Sequence, residues 1–342
     1  MKSIILIESP FQLLGAIEAQ NYFELNDPIL IIKYTNNTKT NKQIDWILSK
    51  FPFKKVIKLP KFKISTFNDF ILAILLLKWK IERIKFDYII IGESRSLIMR
   101  CFPINLKHNS LYFIDDGSST IVIQRNLING SHNFNFEKTK ILQKIRNIFL
   151  KLLVIKTHFN LAPNLFTCFV LQPITGQKIV NHSFDKIKTF RKHNNEISMH
   201  TVHFIGGCLS EGKMMSEDEE VNLLKKVFKH LEKTNSHFVY YCHRRENEQK
   251  LKRIKALNKN IELYKPEYPI ELEFLIKSIP IVHLSSFVST ALYTITKICS
   301  PSQSTMFKIP EEILSKQFQL ENKELEDNFL SSGKIRLEKD YL

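Results

Sequence analysis

The sequence predicts an α/β protein built of two Rossmann-like domains whose parallel sheets face an interdomain cleft. Three observations lead there. Its 342 residues are too many for one ordinary hydrophobic core and comfortable for two. In the front half, short apolar runs alternate with segments of helical pattern, the signature of a parallel sheet covered by helices. After a stretch of mixed signals the alternation starts again near residue 200. The expected domains are residues 1–195 and 196–342, with the tail after 310 packing back.

Residues 4–7 read as a strand that turns at Ser9-Pro10 into a helix over 12–24. A strand over 28–34, a helix over 45–51, a short strand over 56–59 and a long helix over 69–84 follow. Residues 88–91 and 111–114 are two further short strands, ending at Gly92-Glu93 and at Asp115-Asp116-Gly117. Residues 139–156 are basic and helical, whereas 163–195, with Pro173 and Gly176, are expected to hold the interdomain connection. In the second half, strands over 201–205, 237–242, 261–264 and 281–284 alternate with helices over 217–233, 249–257, 270–276 and 289–296.

Composition narrows the function. With 44% hydrophobic and 25% charged residues, the chain has the balance of a globular protein. The formal net charge of +16 raises the local concentration of anionic partners. No zinc finger, aromatic RNP run or basic-region heptad accompanies it, so a membrane surface or an anionic sugar nucleotide fits better than nucleic acid. For most single lysines, solvated surface charge is explanation enough. Cys101, Cys168, Cys208, Cys242 and Cys299 are widely spaced without a CxxC, which points to a reducing compartment with neither a disulfide framework nor a zinc site. The apolar run at residues 4–7 is too short for a signal peptide and is expected as a buried strand. The apolar run over residues 70–77 is far below the ~20 residues that span a bilayer, and reads as a buried helix, with shallow membrane contact as the alternative.

In open parallel sheets ligands sit outside the carboxyl ends of the strands, so the polar residues just after each strand matter most. Asp115-Asp116-Gly117 can form a general base with a raised pKa; equally, it can form a turn in which Asp caps a helix and Gly supplies a positive φ. His243-Arg244-Arg245-Glu246 suits a phosphate, with guanidiniums pairing to anionic oxygens and imidazolium donating a proton, although a charged surface turn would look the same. His283 through Ala291, containing Ser285, Ser286, Ser289 and Thr290, runs from strand to helix and offers hydroxyls and backbone N–H groups to an anion; serine is also an ordinary cap. Gly206-Gly207 follows a strand and lets backbone approach a ligand, but the GxGxxG pattern is missing, as are GxxxxGK[ST] and GxSxG. Dinucleotide binding is thus not supported, and the last two absences remove P-loop enzymes and the usual α/β hydrolases.

In this order the corners resemble the bacterial sialyltransferases of the lipooligosaccharide and capsular polysialyltransferase families. Those are GT-B enzymes with an acidic-acidic-Gly motif in the first domain, then a His-Pro motif and a Ser-Ser/Thr motif in the second. Here Asp115-Asp116-Gly117, His243 and Ser285-Ser286 stand in the corresponding places. The opening Glu8-Ser9-Pro10-Phe11-Gln12-Leu13-Leu14, with Glu18-Ala19, is similar to the start of these families. The segment Lys265-Pro266-Glu267-Tyr268-Pro269-Ile270-Glu271 is similar to their Lys-Pro…Pro-x-Glu stretch. The likeness runs through most of the chain in motif order and rests on short islands.

The resemblance implies an inverting, metal-independent transferase that moves sialic acid or another nonulosonic acid from its CMP ester to a lipooligosaccharide or capsular glycan. CMP-nonulosonate is then a co-substrate, and no cofactor is implied. Asp115 would deprotonate the acceptor hydroxyl, with Asp116 and Gly117 shaping its loop. His243 would donate to the departing phosphate, Ser285 and Ser286 would hold it, and Gly206 and Gly207 would line the nucleotide pocket. Glu271 would bind the ribose, with Glu267 as the alternative. Arg244 stands where the family has Pro, which means an extra phosphate contact, a different activated sugar, or a His that only looks aligned. A transferase using CMP-Kdo or a UDP- or GDP-sugar stays open, as does a non-catalytic basic protein that binds membrane or polysaccharide. The expected setting is cytoplasmic, peripheral on the inner face of the bacterial inner membrane; a homodimer is open.

Overall fold

The computed structural model describes residues 2–60, 66–130, 141–159, 162–191, 200–234, 237–277 and 281–342. The chain forms two compact units, Met1–Ile187 and Lys188–Leu342. The expected boundary between 195 and 196, and the first two residues of the expected 139–156 helix, lie outside the described residues.

Unit 1 alternates strand and helix: β1 (Ser3–Ile7), α1 (Pro10–Tyr22), β2 (Ile29–Ile32), α2 (Thr38–Lys50), β3 (Lys55–Lys58), α3 (Thr66–Ile81), β4 (Lys85–Ile91), α4 (Leu97–Asn105), β5 (Lys107–Ile114), α5 (Ser119–Ile128), α6 (Ile141–Leu152), β6 (Asn164–Thr167), β7 (Ile179–Asn181) and α7 (Asp185–Lys188). The strands pair in parallel in the order β3-β2-β1-β4-β5-β6-β7. The residues of β1 are buried throughout, because helices cover both faces of the sheet. Ser9 starts α1 by accepting the Gln12 N–H, and Pro10 occupies the first turn, where a missing N–H costs nothing.

Unit 2 continues with β8 (Thr201–Ile205), α8 (Glu217–Leu231), β9 (His237–Tyr241), α9 (Glu248–Ala256), β10 (Ile261–Tyr264), α10 (Ile270–Ile276), β11 (His283–Ser286), α11 (Thr290–Cys299), β12 (Gln303–Phe307), α12 (Lys316–Ser331) and β13 (Arg336–Glu338). Its strands are also all parallel, in the order β10-β9-β8-β11-β12-β13. In each unit the first three strands step outward on one side and the fourth returns to the other side of the first. Each sheet therefore has a topological switch point, between β1 and β4 and between β8 and β11, where the following loops diverge and leave a crevice.

The structure departs from the sequence reading in several places. Besides the boundary between the units, after Ile187, residues 163–195 contain β6 and β7, which extend the first sheet; both are short and separated by Pro173 and Gly176, so no periodic run marked them. α4 was not expected, since Pro103 sits inside it. β11 ends two residues later than expected, at Ser286. The tail after 310 forms α12 and then β13, which pairs with β12 at the edge of the second sheet. Among the described residues no helix is long and apolar enough to cross a membrane.

One tight contact fixes the first corner of unit 2. A Cβ on Gly206 would lie 2.7 Å from the Tyr240 ring, which is fully buried, stacked on Phe204 and donates its hydroxyl to Glu246. The ring has nowhere to go. Gly206→Ala is therefore expected to cost about 1–3 kcal/mol, read as a lower midpoint in urea unfolding; an unchanged midpoint would show that the ring yields.

Candidate functional site

In unit 1 the chain places a charged group after each of the strands flanking the switch point. Glu8 follows β1, Lys33 follows β2, Glu93 and Arg95 follow β4, and Asp115 and Asp116 follow β5. Gln12, fully buried in α1, ties them together: its Oε1 accepts the Glu8 N–H at 2.7 Å and its Nε2 donates to Asp116 Oδ1 at 2.8 Å. The Gln12 side chain lies so close over Gly92 that a Cβ there would approach it to 2.7 Å. Arg95 grips both oxygens of Glu93 at 2.8 and 2.7 Å and also reaches Asp116 Oδ2. Lys33 pairs with Asp69 at 2.8 Å and stands 3.9 Å from Glu8. Arg146 of α6 takes the other Asp69 oxygen at 3.1 Å. A cavity of about 260 Å³ opens beside Glu8, Lys33 and Tyr34.

Three carboxylates in one crevice with limited water cannot all stay ionised. Burial, then the Glu93 charge, push Asp116 up to about 6, against the pull of Arg95. Burial pushes Glu8 up to about 7 despite Lys33. Burial acts on Glu93 too, but the double Arg95 contact prevails and holds it below the usual carboxylate range. The neighbouring Asp115 lives in different surroundings. It is 2% exposed; its Oδ1 accepts the Thr167 hydroxyl and its Oδ2 the Cys168 N–H, each at 2.7 Å, with His182 Nε2 3.8 Å away. Asp115 thus fastens the end of β5 to the β6–β7 region, while Asp116 looks into the charged crevice. Gly117 has φ +65, the left-handed conformation that lets the chain turn from Asp116 into α5.

In unit 2 three adjacent strands, β9, β8 and β11, end in the loops expected to hold a ligand. The His243 Nδ1 accepts the Arg245 N–H at 3.2 Å, which leaves Nε2 to carry the proton. Burial, then Arg245 and Arg244, lower its pKa to about 4, which favours the neutral ring with its Nε2–H as a donor. Arg244 is exposed beside it. Gly207 has room for a Cβ, with Leu209 no nearer than 3.6 Å, so nothing inside the protein requires glycine there. Ser289 caps α11 without a side-chain bond to the helix N–H groups.

The serines expected to hold phosphate sit elsewhere. Because β11 runs on to Ser286, both are strand residues: Ser286 donates to the Ile205 carbonyl at 2.7 Å, and Ser285 is fully buried without a hydrogen-bond partner among the described residues. The half-buried hydroxyl residues at that corner are Ser289 and Thr290. Glu271 is buried, accepts the Thr294 hydroxyl at 3.2 Å and has a pKa raised by burial; Glu267 is exposed on the loop after β10.

Sequence reasoning missed a buried anchor beneath these loops. Lys250 of α9 pairs with Glu211, Glu220 and Glu246 at 2.8, 2.9 and 3.2 Å and donates to the Gly207 carbonyl at 3.2 Å. Glu246 in turn accepts the Tyr240 hydroxyl at 2.7 Å and the His243 N–H at 2.6 Å. It also missed Glu93, Arg95, Lys33 and Gln12. Applying the rule of polar residues after strands to β2 and β4 would have found all but Gln12.

The model of the alpha-2,8-polysialyltransferase family matches residues 3–308. No curated protein matches the chain by sequence. Among solved structures, a Listeria monocytogenes protein described as a UDP-N-acetylglucosamine 2-epimerase aligns over 99% of this chain and 84% of its own, with TM-score 0.59 and 10% identity. The UDP-GlcNAc 2-epimerase of Methanocaldococcus jannaschii aligns over 99% and 89%, with TM-score 0.54 and 12% identity. A sialyltransferase from Photobacterium damsela aligns over 98% and 81%, with TM-score 0.48 and 9% identity. At such identities structural likeness speaks for the fold alone, and the two epimerases support two parallel-sheet α/β domains of the GT-B type. The family match covers most of the sequence: the chain belongs to the alpha-2,8-polysialyltransferase family and is a glycosyltransferase.

The His243 environment has a measurable consequence. With its pKa lowered from 6.5 to about 4, the unfolded chain binds more protons than the folded one in that window. The group's contribution is intact above pH 6.5 and is lost as pH falls toward 4. Glu246, raised to about 7 mainly by burial, works in the opposite sense, so parent and variant must be compared. His243→Gln is expected to reduce the acid loss of unfolding free energy by up to roughly 3 kcal/mol, measured by urea titration at both ends of the window. An identical pH dependence in the two proteins would mean that His243 titrates normally.

Proposed function

We propose that this member of the alpha-2,8-polysialyltransferase family transfers sialic acid, or another nonulosonic acid, from its CMP ester to a hydroxyl of a glycan, with inversion and without a metal ion. Unit 2 holds the donor and unit 1 supplies the base. The observation that carries the reading is Asp116: a carboxyl at the switch-point crevice, raised to about 6 and held by Gln12 and Arg95. Such a group is ionised at neutral pH yet basic enough to take a proton from a sugar hydroxyl as that oxygen attacks. The expectation for Asp115 moves one residue along, since Asp115 spends both oxygens on Thr167 and Cys168.

In the step itself, the acceptor oxygen bonds to the anomeric carbon while the bond from that carbon to the CMP phosphate oxygen breaks. The hydroxyl proton passes to Asp116, and the electron pair of the broken bond leaves with CMP. His243, as an Nε2–H donor, and the backbone N–H groups at the start of α11 meet the phosphate charge as it grows, with the Arg244 guanidinium available beside them. Gly207 lets main chain approach the nucleotide. Of the two ribose candidates, Glu267 is solvent-exposed whereas Glu271 is packed against Thr294.

Incubation with CMP-sialic acid and a sialylated oligosaccharide is expected to release CMP only when both are present, at a rate unchanged by EDTA. CMP should also raise the melting temperature where UDP and GDP do not. No CMP release from any CMP-nonulosonate, by protein that still melts cooperatively, would refute the assignment. Asp116→Asn is expected to lower kcat/KM on the order of a hundredfold or more while keeping the CMP-induced shift in melting temperature. Asp115→Asn should instead lower stability by about 1–3 kcal/mol. The reverse pattern, an active Asp116→Asn and a stable but inactive Asp115→Asn, would return the base to Asp115.

A further inference from the structure

We infer that the outer face of α3 and α6 in unit 1 docks on an anionic lipid surface. Most of the large apolar side chains left exposed among the described residues lie on these two helices. At roughly 100° per residue, Ile141, Ile145, Ile148 and Leu152 of α6 fall on one line, and all four are exposed, Ile148 to 58% and Leu152 to 75%. On α3 the same holds for Phe67, Ile74 and Ile81. The helices pack side by side: Phe70 meets Phe149 edge-on with ring centroids 4.9 Å apart, and Lys80 Nζ donates to the Val154 carbonyl, just past α6, at 2.7 Å. The opposite side of α6 is anchored in unit 1 through Leu150 and Arg146, both buried. A continuous apolar band on two neighbouring helices is far more than the scattered exposed residues a soluble surface carries.

Charge selects the occupant. α6 contains no acidic residue, and the single acid of α3, Asp69, is buried between Lys33 and Arg146. Lys144 and Lys151 lie on one flank of the α6 line, and Lys78 sits on the α3 line between Ile74 and Ile81; all three are exposed. The nearest exposed acid along the chain is Glu82, 3.9 Å from Lys78. An apolar stripe bordered by ammonium groups matches a membrane interface, where the stripe enters the acyl boundary and lysines meet lipid phosphates. A second copy of the chain fits less well. A two-fold contact would bring the same lysines together with no carboxylate to pair them.

The inference does not depend on the transferase reading, because lipid binding is measured with neither donor nor acceptor present. The full chain is sedimented with vesicles of phosphatidylcholine alone and of equal parts phosphatidylcholine and phosphatidylglycerol. Binding is expected only to the anionic vesicles and should weaken with salt. Exchanging Lys144→Glu and Lys151→Glu together should lower the affinity on the order of tenfold or more. Ile145→Asp with Ile148→Asp should abolish binding, with melting temperature unchanged because both side chains point to solvent. Either no binding to anionic vesicles, or binding that both double variants retain, overturns the inference. So does light scattering that shows a dimer which the Ile145→Asp, Ile148→Asp protein cannot form, since the face would then be covered by a second copy.

Discussion

Parallel strand pairing is the constraint on which the rest of the molecule depends. When every strand of a sheet runs the same way, all the loops that follow strands gather along one edge, and every crossover must pass over a face. The faces fill with helices, which is why β1 and β8 are buried from end to end. The edge fills with whatever polar residues the loops carry. Both units then reverse their strand order beside the first strand, so the loops part at one point in each. Glu8 and Glu93 flank that point in unit 1, and Gly206, Gly207 and the start of α11 flank it in unit 2.

The two edges are electrostatically unlike. In unit 1, burial pushes the carboxyls upward in pKa and the double contact with Arg95 makes the exception: Glu93 is held low, while Glu8 and Asp116 are raised. In unit 2, the arginines beside His243 and the burial of its ring make the imidazole give up its proton. Under the proposed function, one edge accepts a proton near neutral pH and the other meets an anion with neutral N–H groups. A protein made of two similar frames acquires two chemistries through the residues at the strand tips.

Much of the frame could be read from the sequence, because strands buried on both faces leave short unbroken apolar runs. What escaped was whatever broke that pattern. Pro103 lies within α4, β12 begins Gln303-Ser304-Thr305, and β13 is a three-residue edge strand with Arg336 and Glu338 at its ends. For the candidate site, the rule of polar residues after strands led to Asp115, Asp116, His243 and Gly207, all of which do follow strands. Ser285 and Ser286 fall inside β11, because the strand continues to Ser286. Arg95, Lys33 and Lys250 escaped for another reason. Their long side chains reach partners distant in sequence, and only the tertiary structure brings those partners within range.

The ammonium group of Lys250 has implications for how the nucleotide-side loops move. Its four partners come from the loop after β8, from α8 and from the turn after β9, and the lysine itself belongs to α9. Freeing α9 would leave the buried Glu220 and Glu246 without their cation, a penalty of several kcal/mol, and freeing any of the other segments would weaken the pairing of the ammonium. The glycine loop and the histidine turn are consequently bound to a common fate. They would become accessible to hydrogen exchange together, as one cooperative block, while loops lacking such a knot could fluctuate singly.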